Sequence, residues 1–207
     1  LDYCKKTLCA HRRILFSGDG YSAAWEEEAE KRGLLNLRTT ADALPQMVTP
    51  ESLALWQGMG VLSETEAFSR YEVKLEKYNK LMNIEATTMI REARRTYRPV
   101  ITAYATKVAK GLEAIRAAGA EAAMTCEQNT LNKLCGGITE INEAIKALDA
   151  VHTKAEGIVD SQEQALCYAH EVAPAMERLR ASVDAMEEIV AADYWPVPTY
   201  DDILFYV

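Results

Sequence analysis

A metal site, an acid–base pair or a covalent nucleophile needs polar side chains that converge, so the three histidines and five cysteines are weighed first. His11, His152 and His170 are scattered along the chain. His170 and Glu171 are sequence neighbours and leave a helix from adjacent faces, whereas two metal ligands on one face need a spacing of four. His152 falls on an apolar stripe and is expected to be a core or edge histidine. Cys4, Cys9, Cys126, Cys135 and Cys167 are an odd set without a CxxC pair, which predicts reduced thiols instead of a disulfide framework or a zinc site. Cys135 and Cys167 lie in apolar helical runs and are expected to behave as small buried hydrophobes. Gly18-Asp19-Gly20 lacks both GxxxxGK[ST] and GxGxxG, so turn chemistry leading to a cap at Ser22 explains it better than a phosphate cradle. No HExxH, GxSxG or kinase signature occurs. Acidic clusters such as Glu26–Glu28 and Glu187-Glu188 read as solvated faces. No catalytic, cofactor-binding or metal-ligating residue is assigned.

One polar constellation stands out. Arg91, Arg94, Arg95 and Arg98 have the i, i+3, i+4, i+7 spacing of a helical ridge, in a chain whose 31 acidic residues outnumber its 23 basic ones for a net charge of −8. Two readings stand: pairing with Glu92 and solvent, or guanidinium forks docking an acidic neighbour. The acidic balance argues against a nucleic-acid partner. No run approaches the ~18 apolar residues of a membrane span, and no charged segment followed by an apolar one opens the chain as a signal peptide would. A cytoplasmic, truncated chain that begins at Leu1 is expected.

The elements that must position these residues are helical. Ser22 caps a helix that Gly33 stops, and short helices follow Thr40 and Pro50. Ser63 and Glu66 form a capping box, after which helical pattern persists to about residue 118, on the order of 80 Å. Its distal half carries a stripe of Ile90, Ala93, Tyr97, Ile101, Tyr104, Val108, Leu112 and Ile115. Leu131, Leu134, Ile138, Ile141, Ile145, Leu148 and His152 step 3, 4, 3, 4 along a second helix, residues 127–155. Ala169, Val172, Met176, Leu179, Val183, Met186 and Val190 do so along a third, residues 161–192. Short connections make these antiparallel neighbours, so the expected fold is all-α: an antiparallel three-helix coiled bundle with one very long helix. Short helices and irregular chain precede it, and an extended aromatic C-terminal tail closes it.

The second and third helices cover only the distal half of the first. The proximal stripe, Phe68, Tyr71, Leu75, Tyr78, Met82 and Glu85, needs cover from residues 1–60 or from elsewhere. Pro99 is expected to kink the long helix at this handover, and Pro174 to bend the third. Pro196 and Pro198 enforce extended chain, and Trp195, Tyr200, Leu204 and Phe205 are expected to dock on the body or a neighbouring subunit. The candidate interface is therefore Arg91, Arg94, Arg95, Arg98, Trp195, Tyr200 and Phe205. The division is 1–62, 63–193 and 194–207.

Several stretches carry a resemblance: "RRILFSGDGYSAAWEEEAEKRGLLNLRTTADALP", "GVLSETEAFSRYEVKLEKYNKLMNIEATTMI", "ARRTYRPVITAYA" and "YWPVPTYDDILF". In this order they resemble the C-terminal end of glutamine synthetase type III. Residues 119–168 match only in helical character, and the family favours an apolar residue where this chain has Arg98. The resemblance implies an ATP-dependent ligase that joins glutamate and ammonia through a γ-glutamyl phosphate, with divalent metal (Mg or Mn). The family's metal and nucleotide residues lie upstream, so none is carried onto a position here. Residues 1–62 would be the end of the catalytic domain and 63–193 the helical C-terminal domain. The partners implied are the chain's own catalytic domain and neighbouring subunits in a ring-stacked homo-oligomer. The competing reading is a free-standing helical scaffold that binds proteins through the ridge and the tail.

Overall fold

The first helix, α1 (Asp2–Ala10), buries none of its side chains, and Leu1, Tyr3 and Leu8 stay exposed. In this computed structural model the described residues are 1–12 and 15–205, apart from the side chains of residues 121–123, 200 and 201. Arg13 and Ile14, in the apolar stretch after His11, lie outside them. Helix makes up 79% of the chain and no strand occurs among the described residues.

Local chemistry sets the N-terminal elements. Asp19 Oδ1 accepts from the Tyr21 N–H at 2.9 Å and the Ser22 hydroxyl donates to the Asp19 carbonyl at 2.7 Å, so the glycine-rich segment is a turn. Ser22 then caps α2 (Ala23–Lys31), and Gly33 follows it at φ 71, where a side chain would be strained. Thr39 caps α3 (Thr40–Ala43), which continues as a 3₁₀ turn over Leu44–Val48. Thr49 caps α4 (Pro50–Gly58), with proline in the first turn, where its missing donor has no cost.

The capping box forms. Ser63 Oγ accepts from the Glu66 N–H while the Glu66 carboxylate accepts from the Ser63 N–H at 2.8 Å. From it run α5 (Glu64–Glu92), a π-turn (Ala93–Tyr97) and α6 (Arg98–Ala117), 54 residues of unbroken helix. Next come α7 (Glu121–Glu156) and α8 (Ser161–Cys167), which passes through a second π-turn (Tyr168–Val172) into α9 (Ala173–Glu187). The third long helix thus stops short of residue 192, and the chain turns so that both Val190 and Trp195 enter the core.

Both π-turns precede a proline by the same interval. The Arg98 N–H donates to the Ala93 carbonyl and the Ala173 N–H to the Tyr168 carbonyl, each one residue longer than an α-helical bond. Pro99 and Pro174 come next. A proline offers no N–H to the carbonyl four residues back and crowds it, and widening the preceding turn relieves that crowding. Bends were expected at these prolines; each proline follows a widened turn inside a continuous helix, and such turns are among the places where helices bend.

Arg94 pairs with Asp149 and Arg98 with Asn142, so α6 and α7 run in opposite directions. Lys154 pairs with Glu171 and Arg178 with Glu140, so α7 and α9 do as well. Their shared core holds Ile90, Ile101, Val108, Leu134, Ile141, Leu148, Val172, Leu179 and Met186. The expected stripe shifts by one residue at Tyr104, which is partly buried while Ala105 is buried. The proximal half of α5 gets its cover from Ala41 and Leu44 on one side and Ala165 and Ala169 on the other, packed around Leu75. Tyr71 donates to Gln162 Oε1 at 2.9 Å, Gln162 Nε2 donates to the Ala41 carbonyl at 2.8 Å, and Asn79 donates to the Ser161 carbonyl at 2.9 Å, which ties the three pieces together. Phe68 remains partly exposed.

Gly137 of α7 lies against Met186 of α9. A methyl group there would run into the buried Met186 side chain, whereas one on Gly136 meets nothing. Gly136→Ala is expected to stabilise the protein by about 0.5–1 kcal/mol through helix propensity. Gly137→Ala should destabilise it by about 1 kcal/mol, because overpacking outweighs the same gain. Urea midpoints of the two variants check this; equal shifts would show that Met186 moves aside freely.

Candidate interface: arginine ridge, aromatic tail and groove

The four arginines fall at the junction of α5, the first π-turn and α6, and the widened turn divides them. Arg94 Nη2 lies 2.9 Å from Asp149 Oδ2, and Arg98 Nη1 donates to Asn142 Oδ1 at 3.2 Å, so these two reach across to α7. Arg91 Nε sits 3.3 Å from Glu92 Oε1. Arg95 is exposed and has no partner among the described residues. Exposed pairs of this kind contribute about 0–1 kcal/mol each, so the ridge orients helices more than it stabilises them.

The tail meets the body through aromatic rings. Trp195 is 8% exposed and stacks on Tyr97 with centroids 5.5 Å apart. Tyr194 packs on Tyr104 at 5.3 Å, and Lys107 Nζ lies 4.8 Å over the Tyr194 ring. The Trp195 indole N–H is buried without a partner among the described residues. Beyond Pro198 the chain departs from the extended course expected of it. Thr199 and Asp202 exchange backbone and side-chain hydrogen bonds, at 2.9 Å from the Thr199 N–H, and open α10 (Tyr200–Leu204). Ile203, Leu204 and Phe205 are 64%, 71% and 72% exposed, and of these Ile203 borders the space between α5 and α9. The Tyr200 side chain lies outside the described residues.

Between the C-terminal half of α5 and α9, bounded by the Trp195–Pro198 segment and by Ile203 of α10, lies a groove of about 950 Å³. Met82, Met89, Tyr97, Met176 and Val183 line its floor. Five carboxylates, Glu85, Glu92, Glu177, Asp184 and Glu187, and one guanidinium, Arg180, line its sides. Glu92 accepts from the Thr96 hydroxyl at 2.9 Å, and Asp184 lies 3.3 Å from Arg180 Nε. Glu187 was expected on a solvated face, and the groove was not foreseen. The signal was present: Glu85 and Glu92, like Glu177 and Asp184, are seven residues apart beside an apolar stripe.

His152, as expected, is buried, with Nε2 2.7 Å from Asn83 Oδ1 and Nδ1 3.8 Å from Glu156. Cys167 is buried and desolvation raises its thiol pKa, which makes it a poor nucleophile. Cys135 is exposed, against expectation, because it stands one position off the stripe that Leu134 occupies. Among the described residues no three His, Cys, Asp or Glu side chains converge to hold a metal ion. Nor is any described helix long and apolar enough to cross a membrane.

His170 and Asp42 join the N-terminal segment to the second π-turn. His170 Nε2 lies 3.0 Å from Asp42 Oδ1, and the Thr39 hydroxyl donates to Asp42 Oδ2 at 2.5 Å. The Thr39 bond first, and then the His170 bond, hold the Asp42 pKa below its ordinary value of 3.8. A depressed carboxylate contributes stability that is present at neutral pH and lost as pH falls through the lowered value. His170→Ala is therefore expected to move the Asp42 titration upward, with acid loosening of residues 39–48 starting at higher pH. A carboxyl NMR titration checks it, and an unmoved Asp42 would refute the contact.

Comparison with known proteins now adds to the geometry. A family model described as the glutamine synthetase C-terminal domain matches residues 1–116. A glutamine synthetase of Butyrivibrio fibrisolvens is 34% identical over 201 residues, which is 97% of this chain and 29% of that protein. A type-3 glutamine synthetase of Dictyostelium discoideum is 30% identical over 205 residues, 97% of this chain and 28% of its own length. A glutamine synthetase of Bacteroides fragilis (strain YCH46) has the same identity and coverage. The chain thus spans under a third of the relatives it matches. With 116 of its 207 residues matched by the family model, the chain belongs to the glutamine synthetase C-terminal domain family.

Proposed function

We propose that these residues form the C-terminal region of a type III glutamine synthetase and serve subunit packing instead of catalysis. In this reading residues 1–62 close the catalytic domain. Residues 63–193 form an antiparallel three-helix coiled bundle, and residues 194–207 a docking tail. The observation that carries it is the alignment: relatives named glutamine synthetase match 97% of this chain but only 28–29% of themselves. The ATP-dependent joining of glutamate and ammonia, and the Mg or Mn that assists it, would belong to the remainder of a cytoplasmic full-length enzyme. The described acidic side chains do not converge as a metal site would require, so no metal or nucleotide contact is assigned to a residue here. The partners are the chain's own catalytic domain and neighbouring subunits of a homo-oligomeric ring, with no nucleic acid or membrane. The uncovered Leu1, Tyr3 and Leu8 at one end, and Leu204 and Phe205 at the other, are consistent with such contacts.

The test compares the 207-residue chain with the full-length protein. Only the full-length protein is expected to carry out ATP-dependent γ-glutamyl transfer, and deleting residues 63–207 from it should reduce its mass by light scattering to smaller assemblies. Transfer by the chain alone, or an unchanged assembly after the deletion, would overturn the proposal.

A further inference from the structure

We propose that the groove between α5 and α9 is a docking site for a basic amphipathic helix of about four turns, contributed by a different polypeptide. Length and shape come first. The lining runs from Met82 to Tyr97 on one wall and from Ala173 to Glu187 on the other, each about 21–23 Å at ~1.5 Å per residue. Two helical walls offer no free backbone donors or acceptors to an extended peptide, whereas side-chain ridges of a third helix fit between them. The floor suits such a guest. Met82, Met89 and Met176 are unbranched and polarisable, the kind of surface that repacks around an incoming apolar stripe.

Charge names the guest. Five carboxylates and one guanidinium line the groove, and the guanidinium already faces Asp184. Glu85, Glu177 and Glu187 have no cation partner among the described residues. Glu85 and Glu92 on one wall, and Glu177 and Asp184 on the other, are each about 10.5 Å apart along their helix, the rise of seven residues. Lysines or arginines seven apart on both flanks of an apolar stripe would face these pairs together. A second copy of this chain fits poorly, because it carries a net charge of −8 and two arginines of its basic ridge already reach across to α7.

The experiment uses the full-length protein and a labelled synthetic 15-residue helical peptide with a leucine stripe and lysine flanks. A second peptide has glutamate in place of every lysine. Fluorescence anisotropy should give micromolar binding of the lysine peptide that weakens with salt, and no binding of the glutamate peptide. Glu85→Gln/Glu177→Gln/Glu187→Gln should weaken the lysine peptide about tenfold. The control pair Glu72→Gln/Glu163→Gln, exposed carboxylates outside the groove, should leave it unchanged. These substitutions are on surface carboxylates and should leave the circular dichroism unaltered. Met176→Asp, on the floor, should abolish binding. Equal binding of both peptides, indifference to the triple variant, or no binding of the lysine peptide would overturn the proposal. A change in oligomer size on adding peptide would show that a second copy fills the groove, and would overturn it as well.

Discussion

Leu148→Ala is expected to lower the stability of the chain by about 3 kcal/mol, within the range for emptying a fully buried leucine site. Leu148 is 0% exposed and lies in the core that α7 shares with the long helix and with α9. Ile141 and Leu134, one and two heptads before it, are also 0% exposed, so neighbouring layers hold the backbone in place and limit collapse into the space. Removing three carbon atoms there forfeits both transfer free energy and dispersion contacts. For a chain of this length the melting temperature should drop by roughly 6–12 °C. Val159, 98% exposed in the connection after α7, is the control, and Val159→Ala should stay within about 0.5 kcal/mol. Chemical denaturation of the two variants decides the matter. Equal stabilities would mean that the three long helices do not share one core.

Trp195→Ala is the second large effect, also about 3 kcal/mol, and its consequences should be local. Trp195 reaches back from the tail onto Tyr97, at the end of the first π-turn. Without the ring, Tyr194 on Tyr104 is the aromatic contact left to hold residues 194–205 among the described residues, since Ile203, Leu204 and Phe205 are exposed. Amide exchange should therefore accelerate across that segment while the α7 core stays protected. Trp195→Phe separates packing from polarity. The indole N–H has no partner among the described residues, so phenylalanine loses area but no hydrogen bond and should cost less than about 1.5 kcal/mol. Accelerated exchange in the phenylalanine variant equal to that in the alanine variant would refute this account.

Much of the architecture could be read in advance because its signals are local or periodic. Ser63 and Glu66, Ser22 with Gly33, and Thr49 with Pro50 end or begin helices through backbone groups within four residues of themselves. Leu134, Ile141 and Leu148 repeat at the coiled-coil interval, and all are buried. The misreadings have definite causes. Thr199 and Asp202 can cap a helix, but two nearby prolines drew the reading toward extended chain. Cys135 was grouped with an apolar run although it stands one step off the buried face. The groove was hidden because each wall alone is an ordinary amphipathic helix, and only the pairing of α5 with α9 creates the concavity. The arginine ridge looked continuous on an α-helical wheel, and the widened turn inside it sent Arg94 and Arg98 toward α7.

That widened turn also settles a matter of angular phase. From Ala93 the inward positions run through Tyr97 and Ile101 to Ala105, three successive steps of four where alternation would insert a three. Tyr168, Val172 and Met176 make two such steps in the other helix. Each pattern holds one surplus residue, which in an unbroken α-helix would swing everything downstream by about 100° and point its apolar side at solvent. A π-turn takes up that residue in place, and the stripes before and after it face the same neighbour. The two helices that flank α7 thus work like vernier scales, each slipped by one division and still aligned, so each segment holds one residue more than regular α-helical turns would and keeps its contacts.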